Sequence, residues 1–127
     1  MNLEKVIFGF FILLAATLNF GFVYGDIAEP VHHNRWEFYG ALVVNIIATV
    51  LKFGDRTQVG AIHLATSLVA FIQLVAAALV WFFAPTDAAG MVQPVEMAAI
   101  VSLAAGALLA NLVSVTILIV ETTMQRR

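Results

Sequence analysis

The chain has 127 residues and no cysteine, and 62% of its residues are hydrophobic while only 11% are charged. An ordinary soluble domain carries about 25% charged residues, and a globule of this size leaves about a third of its unfolded surface exposed. Six Lys and Arg with eight Asp and Glu cannot cover that surface, so the composition predicts a membrane protein. The net charge of −2 excludes a basic nucleic-acid binder, and the lack of cysteine excludes disulfides and thiolate metal sites.

Four apolar segments are long enough to cross a membrane, because about 20 apolar residues span a hydrocarbon core of about 30 Å. The sequence predicts membrane-spanning helices at residues 6–24, 36–53, 59–84 and 95–120. The segments between them are too short for a soluble domain. We therefore expect residues 1–127 to form a single transmembrane domain, an all-α bundle of four transmembrane helices.

Capping residues mark the boundaries of these helices. Asn34 with Glu37, and Asp55 with Gln58, have the spacing of a capping box before the second and third helices. Other boundary signals are Asn2 and Pro94 at the starts of the first and fourth helices, and Gly25 and Gly54 after the ends of the first and second.

The orientation of the helices is predicted from Lys and Arg alone, because membrane insertion depends on them and hardly on acidic residues. If the chain crosses the membrane four times, Arg35 is the one Lys or Arg residue on one side of the membrane. The other side carries Lys5, Lys52, Arg56, Arg126 and Arg127. The sequence thus predicts a multi-pass protein of the bacterial inner membrane with both termini in the cytoplasm.

A small residue recurs every four positions along the fourth helix. The stripe comprises Ala98, Ser102, Gly106, Ala110 and Ser114. In lipid, such small residues let helix backbones approach closely and so provide packing energy. The stripe therefore predicts a tight helix contact, either with helix 1 or 3 of the same chain or with another protein.

Polar side chains also occur inside the predicted spans, where they avoid the lipid face. They are Asn19, Asn45, Thr49, His63, Thr66, Gln73 and Asn111. Counting 1.5 Å per residue places Asn45 level with Asn111, and Asn19 level with Gln73, so we expect a hydrogen bond within each pair. These layers would hold the helices in register; the alternative is a polar path for an ion or small solute.

No Asp, Glu, Lys or Arg lies at the predicted bilayer midplane, which argues against a proton-coupled transporter. His63 is the titratable residue inside a span, and we expect it near the cytoplasmic interface. It is predicted to be a hydrogen-bonded interfacial histidine, with a proton relay as the alternative.

The loop after the first helix is the densest polar segment of the chain. Its charged and imidazole side chains include Asp26, Glu29, His32, His33 and Arg35. Imidazole and carboxylate groups suit Zn or Cu, but Arg35 would repel a cation and Pro30 breaks any helical ligand pair. We expect a solvated or partner-docking loop and no metal, and the absence of catalytic motifs predicts a protein without enzymatic activity or cofactor.

Across the segment HHNRWEFYGALVVNIIATVLKFGDRTQVGAIHLATSL, the chain resembles a family of small uncharacterised four-helix inner-membrane proteins of Gram-negative bacteria. That resemblance implies an association with cation transport, potassium in particular. It supplies no residue roles.

These observations lead to two functional hypotheses. The first is an accessory or assembly subunit of an ion transport complex, which packs in the lipid bilayer against itself or a larger transporter subunit. The alternative is a homo-oligomeric channel or small-solute pathway lined by the intramembrane polar residues.

Overall fold

The structure is a computed structural model that describes residues 3–26, 28–55 and 57–125. Within these ranges the protein is all-helical, which confirms the prediction of four helices. They are α1 (Leu3–Val23), α2 (Arg35–Lys52), α3 (Gln58–Phe83) and α4 (Pro94–Gln125), with a short 3-10 turn at Pro30–His32. The predictions made for Asn2, Arg56, Arg126 and Arg127 lie outside the described residues.

Three helices in the described part of the chain are long and apolar enough to cross a membrane, namely α1, α3 and α4. The second helix is shorter, at 18 residues, and it includes Arg35, Glu37 and Lys52. Those charges lie in the first turn and the last turn of α2, so its middle is apolar apart from Asn45 and Thr49.

The four helices form a ring in which each packs against two neighbours. The packed pairs are α1 with α2, α2 with α3, α3 with α4, and α4 with α1. Buried residues recur at alternating steps of three and four along each helix, as in Gly60, His63, Ser67, Ala70 and Leu74 of α3. This spacing is typical of antiparallel bundles whose helices cross at a shallow angle.

The core is built largely from alanine. Its larger apolar side chains are concentrated near the α1–α2 and α3–α4 connections, which lie at the same end of the bundle. Alanine lets neighbouring helices approach closely, so that packing rather than hydrophobic exclusion holds them together in lipid. The fully buried alanines are Ala15, Ala41, Ala48, Ala70, Ala77, Ala104 and Ala107.

The predicted capping residues are partly right. Asn34 caps α2, because its side chain accepts a hydrogen bond of 2.8 Å from the backbone N–H of Trp36. Glu37 does not complete a capping box; its carboxylate lies against Gly21 of α1, where a β-carbon would overlap it. Gly25 has a φ of 113°, which fits its predicted role after α1.

The prediction for the start of α3 is wrong. Thr57, not Asp55, is the capping residue, and its hydroxyl accepts a hydrogen bond of 2.9 Å from the N–H of Gly60. The Asp55 carboxylate instead accepts hydrogen bonds from the backbone and the hydroxyl of Thr57. Gly54 is likewise not in the left-handed region, so the turn after α2 does not depend on glycine's conformational freedom.

Candidate functional site

A charged cavity opens at the end of the bundle where α1 begins and α4 ends, which we call the termini end. This cavity, the vestibule, has a volume of about 800 Å³. Phe8 and Gly60 contribute to its lining. Its charged lining residues are Glu4, Lys5, Lys52, Asp55 and Glu121.

Ion pairs across the vestibule tie the helix ends together. Lys5 Nζ of α1 lies 2.8 Å from Glu121 Oε1 of α4. Lys52 Nζ lies 3.4 Å from Asp55 Oδ2 and 4.4 Å from the centre of the Phe8 ring. Lys52 therefore runs its alkyl chain along the bundle and places its ammonium group against both a carboxylate and an aromatic face.

The carboxyl group of Asp55 is held in its ionised form by the turn between α2 and α3. Hydrogen bonds from the backbone N–H and then the hydroxyl of Thr57, with a smaller contribution from Lys52, lower the pKa of Asp55 below its usual value. Each of these groups interacts favourably with the carboxylate and loses that interaction when the carboxyl is protonated.

His63 lies one turn beyond Gly60 on the same buried face of α3 and is only 1% exposed. Its Nδ1 is hydrogen-bonded to Ser114 Oγ of α4 at 2.6 Å, and its ring meets Phe8 of α1 edge to face at 4.8 Å between centres. Nε2 of His63 has no hydrogen-bond partner in the protein. His63 therefore lies inside the bundle, one turn of α3 from Gly60 at the vestibule, with one ring nitrogen hydrogen-bonded.

The predicted hydrogen bonds between paired polar residues do not form. Asn45 Nδ2 donates instead to the carbonyl of Ala41 in its own helix, at 2.8 Å, and the side-chain amide of Asn111 has no partner in the protein. Asn19 is also unpartnered, because Gln73 lies against Gly106 of α4. The predicted depth of each residue in the membrane could not show which hydrogen-bond partner its amide has, since an amide can bond to its own helix as readily as to a neighbouring helix.

The two threonines of the polar set bond to their own helices. Thr49 Oγ1 donates to the carbonyl of Asn45 at 2.8 Å, and Thr66 Oγ1 donates to the carbonyl of His63 at 3.0 Å. Ser67 is fully buried, and its hydroxyl has no partner in the protein.

The small-residue stripe of α4 does not stay on one face. A four-residue step turns about 40° further than one full helical turn, so the stripe winds around the helix. Ser114 and Ala110 are buried inside the bundle, and Gly106 is covered by Gln73. Ala98 is half-buried and Ser102 is exposed on the outer surface.

An aromatic cluster that the sequence analysis missed closes the opposite end of the bundle. This aromatic plug consists of Phe22, Phe38 and Trp81, whose ring centres are 5.0 to 5.7 Å apart. The Arg35 guanidinium lies 5.4 Å from the centre of the Trp81 ring. A tryptophan near the end of a membrane helix is usually an interfacial anchor, and here Trp81 also packs against two phenylalanine rings.

The loop between α1 and α2 uses both histidines for internal contacts. The ring nitrogens of His33 lie 2.5 Å from the carbonyl oxygen of Phe22 and 2.7 Å from that of Asp26. Nδ1 of His32 accepts a hydrogen bond from the N–H of Asp26, and the Glu29 carboxylate accepts one from Val31. Within the described ranges, no three His, Asp or Glu side chains come together as a metal site.

Comparison with models of protein families identifies a family for this chain. The model of DUF6394, a family of unknown function, matches residues 32–122, which comprise α2, α3 and most of α4. No curated protein and no solved structure matches the chain. The predicted links to potassium transport and to Gram-negative bacteria therefore stay predictions.

Proposed function

We propose that this chain, which belongs to the DUF6394 family of unknown function, is a four-span subunit of a bacterial inner-membrane assembly. In this proposal it performs no enzymatic chemistry and supports ion transport by a larger membrane protein. The observation that carries the proposal is the aromatic plug, in which Phe22 and Phe38 are fully buried against Trp81. A bundle end filled by packed aromatic rings suits a structural subunit better than a solute pathway through a single chain.

The proposal treats α2 as the fourth span. Its 18 residues extend about 27 Å, close to the thickness of the hydrocarbon core. Its charges lie at its two ends, and it packs between α1 and α3, which are each long and apolar enough to span. A helix held between two spanning neighbours shares their depth in the bilayer.

The proposed topology has both termini in the cytoplasm. Lys5 and Lys52 lie at the termini end, and Arg35 lies at the plug end. Lys and Arg are enriched in cytoplasmic segments, and this enrichment supports a vestibule on the cytoplasmic side.

The outer surface of α4 is the proposed contact with the larger protein. Near the plug end this surface carries small residues, including Ala98, Ala99 and Ser102, whereas the surface nearer the C-terminus carries Leu109 and Val113. Small residues favour close helix approach, and a hydroxyl facing outward is better satisfied by another protein than by lipid.

Native mass spectrometry tests this proposal. The protein is extracted from its native membrane into lipid nanodiscs, with Ser102→Leu as the test variant and Val69→Leu, on the outer surface of α3, as the control. We expect a second polypeptide at fixed stoichiometry in the wild type and control, and its loss in Ser102→Leu. Recovery of this chain alone from the wild type would contradict the proposal.

A homo-oligomeric channel is the second candidate, and the unpartnered polar side chains inside the bundle favour it. It predicts ion or solute flux in vesicles that contain this protein alone. That flux would fall in Asn45→Leu and Gln73→Leu. Vesicles that stay impermeable would eliminate the channel and leave the subunit proposal intact.

A further inference from the structure

The interior of the bundle contains more hydrogen-bonding atoms than the protein pairs. Among the described residues, seven buried side-chain atoms have no partner, and they belong to Asn19, Asn45, His63, Ser67 and Asn111. The large majority of buried polar atoms in proteins are hydrogen-bonded, and each one left unpaired costs about 1–3 kcal/mol. Such a concentration indicates that something else occupies these bonding positions.

Three of these residues lie at one level of the bundle. The His63–Ser114 hydrogen bond sets the register between α3 and α4, and one turn further from the vestibule the same faces carry Ser67 and Asn111. In the antiparallel pair α1 and α2, the Phe22 and Phe38 rings are in contact. Asn45 lies two helical turns along α2 from Phe38, in the direction of the vestibule.

Alanines of α1 complete this level. Two turns from Phe22, α1 reaches Ala15, which is therefore opposite Asn45. At the contact between α1 and α4, Gly9 lies beside Leu118. Two helical turns from this contact, in the direction of the aromatic plug, Ala16 of α1 therefore lies opposite Asn111 of α4. We call the set of Ala15, Asn45, Ser67 and Asn111 the polar layer; all four residues are buried.

The chemistry of the polar layer selects its occupant. The unpartnered atoms are Oδ1 of Asn45, Oγ of Ser67, and Oδ1 and Nδ2 of Asn111, and none of them carries a charge. An ion would bring a charge that no group in the layer neutralises, and an apolar molecule would leave these atoms unpaired. Water both donates and accepts, and buried water typically makes about three hydrogen bonds to such groups.

We propose that the polar layer is an internal hydration site whose water exchanges with the vestibule. The vestibule extends to Phe8 and Gly60, and His63 lies between it and the layer, with Nε2 unpartnered. At the other end of the bundle, the rings of the aromatic plug pack against one another. The interior is thus hydrated from one side only, and this holds whether or not the chain serves as a transport subunit.

Solid-state NMR of the protein in lipid bilayers tests this site directly. Magnetisation is transferred from water to the side-chain amides of Asn45 and Asn111, whose signals are assigned from their absence in Asn45→Leu and Asn111→Leu. The Gln73 amide, which lies against Gly106, is the internal reference. We expect transfer to the two asparagines to be several-fold faster than to Gln73. Transfer no faster than that of Gln73 would overturn the proposal.

A second experiment fills the polar layer with a larger side chain. Ala15→Val adds volume to the polar layer without removing a polar atom, and Ala65→Val, on the exposed face of α3, is the matched control. We expect water transfer to Asn111 to fall several-fold in Ala15→Val and to be unchanged in the control. An equal response in both variants would contradict a site located at this layer. If Ala15→Val does not fold, the wild-type measurement alone decides.

Discussion

His63 and Ser114 are 51 positions apart in the chain, yet Nδ1 of the histidine lies 2.6 Å from Oγ of the serine. The bond joins α3 to α4 directly beneath the vestibule, where both residues are fully buried. It therefore fixes the register of these two helices, and it lies between the charged cavity and the polar layer.

The first prediction concerns the strength of this bond. We expect Ser114→Ala to destabilise the bundle by about 1–2 kcal/mol, because it leaves both ring nitrogens of His63 unpaired. In a double-mutant cycle with His63→Leu, the coupling energy should lie between about 0.6 and 1.7 kcal/mol, the average and the maximum measured for hydrogen bonds inside a membrane protein. Unfolding in mixed detergents measures both the destabilisation and the coupling energy. If the effects of the two substitutions on stability were purely additive, the bond would contribute nothing to stability.

The second prediction concerns Gly106, which is covered by Gln73. A β-carbon at this position would overlap the Gln73 side-chain oxygen, so we expect Gly106→Ala to displace that amide and cost about 1 kcal/mol. In a Gln73→Ala background the same substitution should be neutral or stabilising, because alanine favours the helix by about 1 kcal/mol over glycine. An equal cost in both backgrounds, measured by the same unfolding assay, would refute the contact.

The helices themselves follow from the sequence, whereas the partners of the polar side chains do not. Apolar length places the four helices, and Asn34 is the N-cap that its position indicates. Side-chain choices depend on local competition: Asn45 bonds back to Ala41, and Gln73 lies on Gly106. The sequence also did not show that Phe22 and Phe38 meet Trp81, because that contact requires the register of three helices.

The third prediction concerns pH and the turn between α2 and α3. Because the folded protein lowers the pKa of Asp55, the stabilisation this carboxylate provides is present above its ordinary pKa and is lost as the pH falls through the lowered value. Thr57→Val removes the hydroxyl but keeps the backbone N–H, which is the larger cause. We expect an NMR titration to show the Asp55 pKa rising only part of the way to its ordinary value.

The same variant removes the N-cap of α3 and should cost about 1 kcal/mol of stability at neutral pH. Thr57→Ser keeps a hydroxyl and serves as the control. A pKa of Asp55 that is identical in Thr57→Val and Thr57→Ser would show that the hydroxyl has no influence on this carboxyl.

The fourth prediction concerns the loop after α1. His33 is 5% exposed and lies between two backbone carbonyls, whereas His32 is exposed and contacts the N–H of Asp26. We expect His33→Ala to cost about 1–2 kcal/mol, because it removes the buried ring whose nitrogens face the carbonyls of Phe22 and Asp26. Hydrogen exchange at the end of α1 should accelerate in His33→Ala and change less in His32→Ala, and the reverse order would contradict this role.

The four-span arrangement is the claim on which the one-sided vestibule depends, and thiol labelling tests it most directly. Because the chain has no cysteine, single cysteines can be placed at Ala28, Gly54 and Ala88 without background. Gly54 has no neighbouring side chain within 4 Å, so its replacement is sterically free. A membrane-impermeant reagent added outside right-side-out vesicles should label Ala28→Cys and Ala88→Cys at once, and Gly54→Cys only after permeabilisation. Labelling of Gly54→Cys in intact vesicles would place it on the same side as the other two and contradict the crossing of α2.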